Sequence, residues 1–272
     1  MNWIDIGVNL TNRRFDKDRE LVITQAESVG VLHQIITGTN ISESEQALQL
    51  CQEYPGRLSS TAGCHPHDAK DFTAKHYHRL EQLLKHSSVV AVADCGLDFN
   101  RNFSPPAQQI NVFEQQLALA SRVNKPVFLH ERDAFNQQFE MLQSYLPKLK
   151  GAVVHCFTGN EQQLNAYLEL GLYIGITGWI CDERRGLPLR EMVHLIPDDK
   201  LMLETDAPYL LPRDLRPKPK SSRNLPQYLP HIAKMIAKAR NTSLESLSMQ
   251  CFDNTKRFFE LPSEIVNSLI PE

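Results

Sequence analysis

No apolar stretch of this sequence approaches the ~18–20 residues of a membrane span. It does not open on a basic segment either. MNWIDIGVNL carries Asp5 inside its apolar run, so no secretory signal is expected there. The six cysteines, at 51, 64, 95, 156, 181 and 251, form no CxxC pair. Most fall inside strand- or helix-like segments, a pattern of reduced thiols in a cytoplasmic protein rather than a disulfide frame. A formal net charge of −3 excludes a broadly basic surface for indiscriminate nucleic-acid binding, though not a local basic groove. Internal repeats, low-complexity tracts and clear linkers are absent. The reading is one domain over 1–272, monomeric and without membrane contact.

What is present is alternation. Eight strand-like runs occupy 3–10, 34–40, 58–65, 89–99, 126–130, 151–159, 172–179 and 201–208, with helical character between them. Residues 107–123 place Ile110, Phe113, Leu117 and Ala120 at helical spacing. Segment 42–54 opens on Ser42 with Glu45 three residues later, a capping-box spacing. Helices are also expected over 161–170 and over 226–240, where Pro226 suits a first turn. A doubly wound sheet competes, but no Gly-rich turn follows the first strand. Eight strand–helix units in 272 residues, near the ~250 usual for the fold, favour an α/β protein of TIM type, a closed (β/α)8 barrel.

Four of the runs end in a potential metal ligand: VVAVAD at Asp94, PVFLH at His130, GAVVH at His155 and LMLETD at Asp206. In a parallel barrel the C-terminal strand ends meet at one mouth. Period-two alternation groups Asp94 with Val92 and Val90, His130 with Phe128, His155 with Val153, and Asp206 with Glu204 and Met202. This is the pattern of a filled interior with a polar rim. Two imidazoles and two carboxylates suit a divalent cation that polarises a phosphoryl oxygen and activates a water. Asp206 and Glu204 are the catalytic candidates, one to accept the water's proton and the other to orient a ligand. The sequence leaves those roles unassigned.

Groups suited to phosphate surround this mouth. His65 and His67 follow the third strand, Arg101 the fourth and Arg132 the fifth. Arg184 and Arg185 follow the seventh, and Arg213 opens a Pro- and Lys/Arg-rich segment, 212–224, after the eighth. Guanidinium forks bind phosphate oxygens bidentately, and a basic groove tracks a nucleic-acid backbone. Trp179 and Tyr209 offer rings for base stacking.

TAGCHPHD, the GLDF run, HERDA, VVHCFTG and ETDAPYLLP, in that order across 61–212, resemble the TatD family of metal-dependent deoxyribonucleases. DIGVNLT, GLDFNRNFS and GWICDERRG bring the chain nearest the branch that gives the family its name. The resemblance implies a TIM-type barrel and 3′–5′ exonuclease action on single-stranded DNA, with RNA as a further substrate. It also implies one or two divalent ions, magnesium first with manganese or zinc as alternatives. By it the metal ligands are Asp94, His130, His155 and Asp206, and His65 is a substrate contact.

Two departures stand out. The strand-one HxH pair of many members is replaced by Asp5-Ile6-Gly7-Val8-Asn9, a loss the same branch shares. Asp94 occupies a position where the family has Glu, shortening the side chain by on the order of 1 Å. Misplacement of that size can cost roughly a hundredfold in rate. The alternatives to the nuclease are therefore a small-molecule amidohydrolase, lactonase or deaminase, and a nucleic-acid binder with a weakened site.

Overall fold

The structure, a computed structural model, describes residues 1–262; the remainder of the expected 1–272 domain lies outside the described residues. Eight parallel strands follow one another around a single sheet. They are β1 (Trp3–Val8), β2 (Val31–Ile36), β3 (Leu58–Ala62), β4 (Val89–Asp98), β5 (Val127–Arg132), β6 (Ala152–Val154), β7 (Tyr173–Ile176) and β8 (Leu201–Leu203). A parallel bridge between Val8 and Ala207 joins the last strand to the first, closing the (β/α)8 barrel. The intervening helices are α1 (Arg19–Ser28), α2 (Ile41–Glu53), α3 (Ala74–Leu83), α4 (Pro106–Val123), α5 (Phe135–Tyr145), α6 (Glu161–Glu169) and α7 (Leu187–Met192). Two more, α8 (Leu229–Arg240) and α9 (Leu244–Phe259), follow β8.

The core has two layers. Ile4, Ile6, Phe128, Val153 and Met202 fill the barrel and pack with Phe252, Phe258 and Phe259 of α9. Val127, Leu129, Val154, Ile174 and Leu203 face outward onto Leu117, Tyr167 and Ile236 of the helices. Each such buried side chain contributes roughly 1.5–3 kcal/mol relative to exposure. Buried glutamines then fix the loops at the strand ends. Gln109 accepts from the Asp98 amide at 2.8 Å and donates to the Asp98 carbonyl at 2.9 Å. Gln116 does the same for Cys64, at 2.8 and 3.0 Å.

Three sequence expectations are corrected. Val92 does not share a face with Val90, because it joins the outer layer while Val90, Ala91 and Ala93 point inward. Pairing irregularities on both flanks of β4, after its Val89 pair and between Val92 and Cys95, break the period-two alternation. The second strand begins at Val31 rather than 34, since His33 and Gln34 are buried strand residues instead of a polar boundary. The cap of α2 is Asn40, whose side chain accepts from the Glu43 amide at 3.0 Å. Ser42 therefore lies one step inside the helix, and Glu45 pairs with Arg79.

His33 carries a pH dependence. Its Nδ1 lies 3.0 Å from the Gly56 carbonyl and its Nε2 2.9 Å from Ser59 Oγ, partners that suit a neutral ring with the proton on Nδ1. Burial pushes its pKa down to about 4. The unfolded chain protonates near the ordinary His value of about 6.5, so it binds more protons than the folded one between those limits. The contribution is complete above about pH 6.5 and is lost as pH falls towards 4, about 3 kcal/mol in all. Urea denaturation of His33→Gln at pH 7 and pH 4.5 is expected to show a flatter pH dependence than wild type. Equal slopes would exclude His33 as the source.

Candidate active site

The four strand endings converge on one open cleft of about 830 Å³. Asp94 lies within β4, His130 within β5 and His155 one residue past β6. Asp206 stands three residues past β8, with a left-handed φ of 54°. That conformation costs a non-glycine residue roughly 1–2 kcal/mol. It is held by the Asp206 amide donating to the Gly7 carbonyl at 2.8 Å. Asn9 Nδ2 donates to Asp206 Oδ1 at 3.0 Å, so the end of strand one enters the site through an amide.

The hydrogen-bond partners assign the imidazole tautomers. His155 Nδ1 faces Glu204 Oε2 at 3.2 Å and donates to it, leaving Nε2 directed at the cleft, 3.4 Å from Asp94 Oδ1, where a bound cation would take the place of its proton. His65 is the reverse case. Its Nδ1 accepts from the His67 amide at 3.1 Å, so its proton sits on Nε2, 3.9 Å from Asp94 Oδ2. His65, Asp94 and His130 bring ligand-type atoms within 4.8 Å of one another, but His65 presents a donor where a cation requires a lone pair. The fit to a divalent cation rests on three buried atoms that have no hydrogen-bond partner: Asp94 Oδ1, His130 Nε2 and His155 Nε2. A desolvated acceptor and two such nitrogens are costly unless something at the cleft pairs with them.

Carboxylates crowd the same volume. Burial, reinforced by the Glu204 and Asp94 charges, pushes Asp206 up to about 7 against the pull of His155. Burial disfavours a charged His155, yet Asp94, Glu204 and Asp206 together raise its pKa to about 10. Asp98 behaves oppositely. Desolvation would raise it, but the His130 imidazole 3.6 Å away and hydrogen bonds from the Arg101 amide and His67 hold it well below the usual carboxylate range. Its Oδ2 lies 2.7 Å from His67 Nε2, so that nitrogen of His67 is committed to Asp98 rather than free for phosphate.

Arg101, Arg132, Trp179 and Tyr209 line the cleft, as does Arg185. Arg185 lies 4.3 Å over the Trp179 ring and Arg132 6.0 Å from it. Arg213 does not reach the cleft. It lies 3.3 Å from Glu183 Oε1 and 3.8 Å from Asp182 Oδ1, which hold it outside the cleft lining. Arg223 likewise pairs with Asp18, at 2.6 Å. The basic loop after strand eight is therefore partly neutralised, and the cleft's cations come from the β4, β5 and β7 loops.

The sequence model of the TatD related DNase family matches residues 4–260. A 3′-5′ ssDNA/RNA exonuclease TatD of Edwardsiella piscicida is 54% identical over 258 residues, covering 95% of this chain and 99% of the relative. That of Erwinia billingiae is 52% identical, covering 95% and 99%. Among solved structures, the TatD homolog YJJV from Escherichia coli K12 superposes with a TM-score of 0.86 at 27% identity, covering 96% of this chain and 98% of that one. A TatD family hydrolase from Entamoeba histolytica gives 0.87 at 25%, covering 95% and 98%.

Two supporting features escaped the sequence reading: Asp98 and the glycines that make room for Glu204. Glu204 is fully buried, and its Oε1 accepts from the Cys156 amide. A Cβ at Gly7 would collide with Glu204 Oε2, and one at Gly175 would lie 2.8 Å from Oε1. Two small residues on neighbouring strands opposite a buried acid were the available signal. Gly175→Ala is expected to destabilise the fold by about 1–3 kcal/mol through overpacking, measured by urea denaturation. A loss within about 0.5 kcal/mol, the range of a neutral surface change, would contradict this tight fit.

Proposed function

The chain belongs to the TatD related DNase family, and on that premise we propose that it is a metal-dependent 3′–5′ exonuclease on single-stranded DNA and RNA. Metal dependence follows from the family. The direction and substrates are those named for its 54%- and 52%-identical relatives. The observation that carries the reading in this chain is the trio of unpartnered buried atoms on Asp94, His130 and His155 below an arginine-lined rim.

Asp94, His130, His155 and Asp206 would hold the cation, magnesium as the working ion with manganese and zinc as its competitors. When bound, it supplies Lewis-acid polarisation of the scissile phosphoryl group and a more acidic water. The protein's own groups do the rest. His65 Nε2–H donates to a non-bridging phosphate oxygen. Asn9 occupies Asp206 Oδ1, leaving Oδ2 to accept a proton from the attacking water. Glu204 touches no substrate; it is a positioning residue that fixes the His155 ring and its tautomer. Arg101 and Arg132 clamp neighbouring phosphates, while Trp179, Tyr209 and Arg185 stack on or pair with the terminal nucleotides.

A 5′-labelled single-stranded oligonucleotide is expected to shorten one nucleotide at a time with magnesium, to stop on chelation, and to survive intact with His155→Ala. Full activity in that variant, or loss of the 5′ label first, would sink the proposal. Glu204→Gln is expected to weaken metal binding about 10–100-fold, by calorimetry. Excess metal should partly restore its turnover, which a purely catalytic role for Glu204 would not allow.

A further inference from the structure

We propose that Cys181, Asp214 and His231 form a second metal site, apart from the cleft, that takes a zinc-class cation. Cys181 ends the short 3-10 turn after β7, Gly178–Cys181. Asp214 lies in the irregular segment between β8 and α8, and His231 in the first turn of α8. One ligand-type atom from each lies within 4.8 Å of the other two, although the residues come from three separate parts of the chain. His231 Nε2 is 2.7 Å from Asp214 Oδ1. Cys181 is fully buried, while the other two side chains are each about a third exposed, leaving an outer face for a water as fourth ligand.

The donor set distinguishes this site from the cleft. The cleft offers nitrogen and oxygen, compatible with magnesium; here a sulfur joins an imidazole and a carboxylate, the softer mixture that selects zinc. Ligands at 2.0–2.3 Å from a tetrahedral ion stand roughly 3.3–3.7 Å apart. The imidazole–carboxylate pair must open by somewhat over half an ångström, and the pairs with the sulfur need close by no more than about one. Asp214 sits on a loop and can make that adjustment. On binding, the thiol releases its proton to solvent and the neutral imidazole carries its proton on Nδ1. Burial, then the Asp214 carboxylate, hold the free thiol well above its usual range, while the Arg190 guanidinium nearby favours the thiolate. Arg190 is held in place by donating to the Ile180 carbonyl at 2.7 Å.

Such an ion would fasten the 212–224 segment to the barrel wall next to Arg213, a staple rather than a catalytic group. The proposal does not depend on the nuclease reading. Cobalt(II) added to the metal-stripped full-length protein is expected to give a thiolate-to-cobalt charge-transfer band in the near ultraviolet that zinc displaces. Cys181→Ser should lose the band, and Cys156→Ser, which removes the thiol beside the cleft, should keep it. Cobalt binding to wild type without the band, or a band that survives in Cys181→Ser, overturns the proposal. His231→Ala retains the thiol and should weaken zinc binding by at least about tenfold; unchanged affinity in that folded variant also overturns it. As an independent readout, zinc should slow tryptic cleavage after the exposed Lys220 in wild type and not in His231→Ala. Equal protection in the two proteins would count against the staple.

Discussion

The buried Glu204 carboxylate is the contact around which the barrel mouth is built. It has no exposed surface, and a carboxylate so placed costs several kcal/mol unless donors meet it. Two do: the His155 Nδ1–H and the Cys156 amide. Both come from the end of β6, so satisfying the acid on β8 also orients the imidazole. Gly7 on β1 and Gly175 on β7 supply the space. Four strands are thereby committed to one buried charge, and the outward nitrogen of His155 points at the cleft as a consequence. Asp5 repeats the device one layer away, where its carboxylate accepts from the Thr205 amide at 2.9 Å and from the Gly7 amide at 3.2 Å.

Above that contact, imidazoles and carboxylates alternate. His67 pairs with Asp98, His155 with Glu204, and His65 with the backbone beside it. Each pairing consumes one ring nitrogen, and Asp94, Glu204 and Asp206 share the charge of one imidazolium, His155, which leaves these three carboxylates short of positive charge. The elevated Asp206 pKa expresses that shortage, since burial and neighbouring carboxylates oppose its ionisation. A divalent cation reverses the balance locally, as bound cations do. The arginines stand further out, where their charge meets a polyanion rather than the buried acids. The −3 net charge and the arginine-bearing rim are therefore compatible, because attraction is confined to that rim and should weaken with salt.

The barrel was legible because apolar runs bounded by polar endings repeat eight times, and the four endings meet because a parallel barrel brings strand ends together. Legibility failed where a local rule was overridden. Alternation along β4 breaks at its irregular pairings, so Val92 turns outward although its spacing from Asp94 is right. Asp98 is four residues beyond a visible ligand candidate, but its importance comes from His67 and His130, which no spacing connects to it. Arg213 looked available because its acidic partners, Asp182 and Glu183, lie 31 and 30 residues earlier in the chain. Glu204 was seen, but its role depended on which nitrogen of His155 it meets, a fact of geometry.

Asp94 is where composition and geometry must be weighed together. Substituting Asp for Glu at the end of an unchanged strand would withdraw the carboxylate by about one methylene. The structure does not show a withdrawn group. Both oxygens stand within 4 Å of an imidazole, Oδ1 3.4 Å from His155 Nε2 and Oδ2 3.9 Å from His65 Nε2. Oδ1 is buried and unpartnered. Had the side chain retreated into the strand, that oxygen would have found a backbone or side-chain donor, as buried carboxylates do. The β4 irregularity beside it, which moves Val92 out and Ala93 in, sets where residue 94 emerges. The shorter acid thus still contributes a free oxygen to the ring of His65, His130 and His155. That retained oxygen favours a working ligand over a degenerate site.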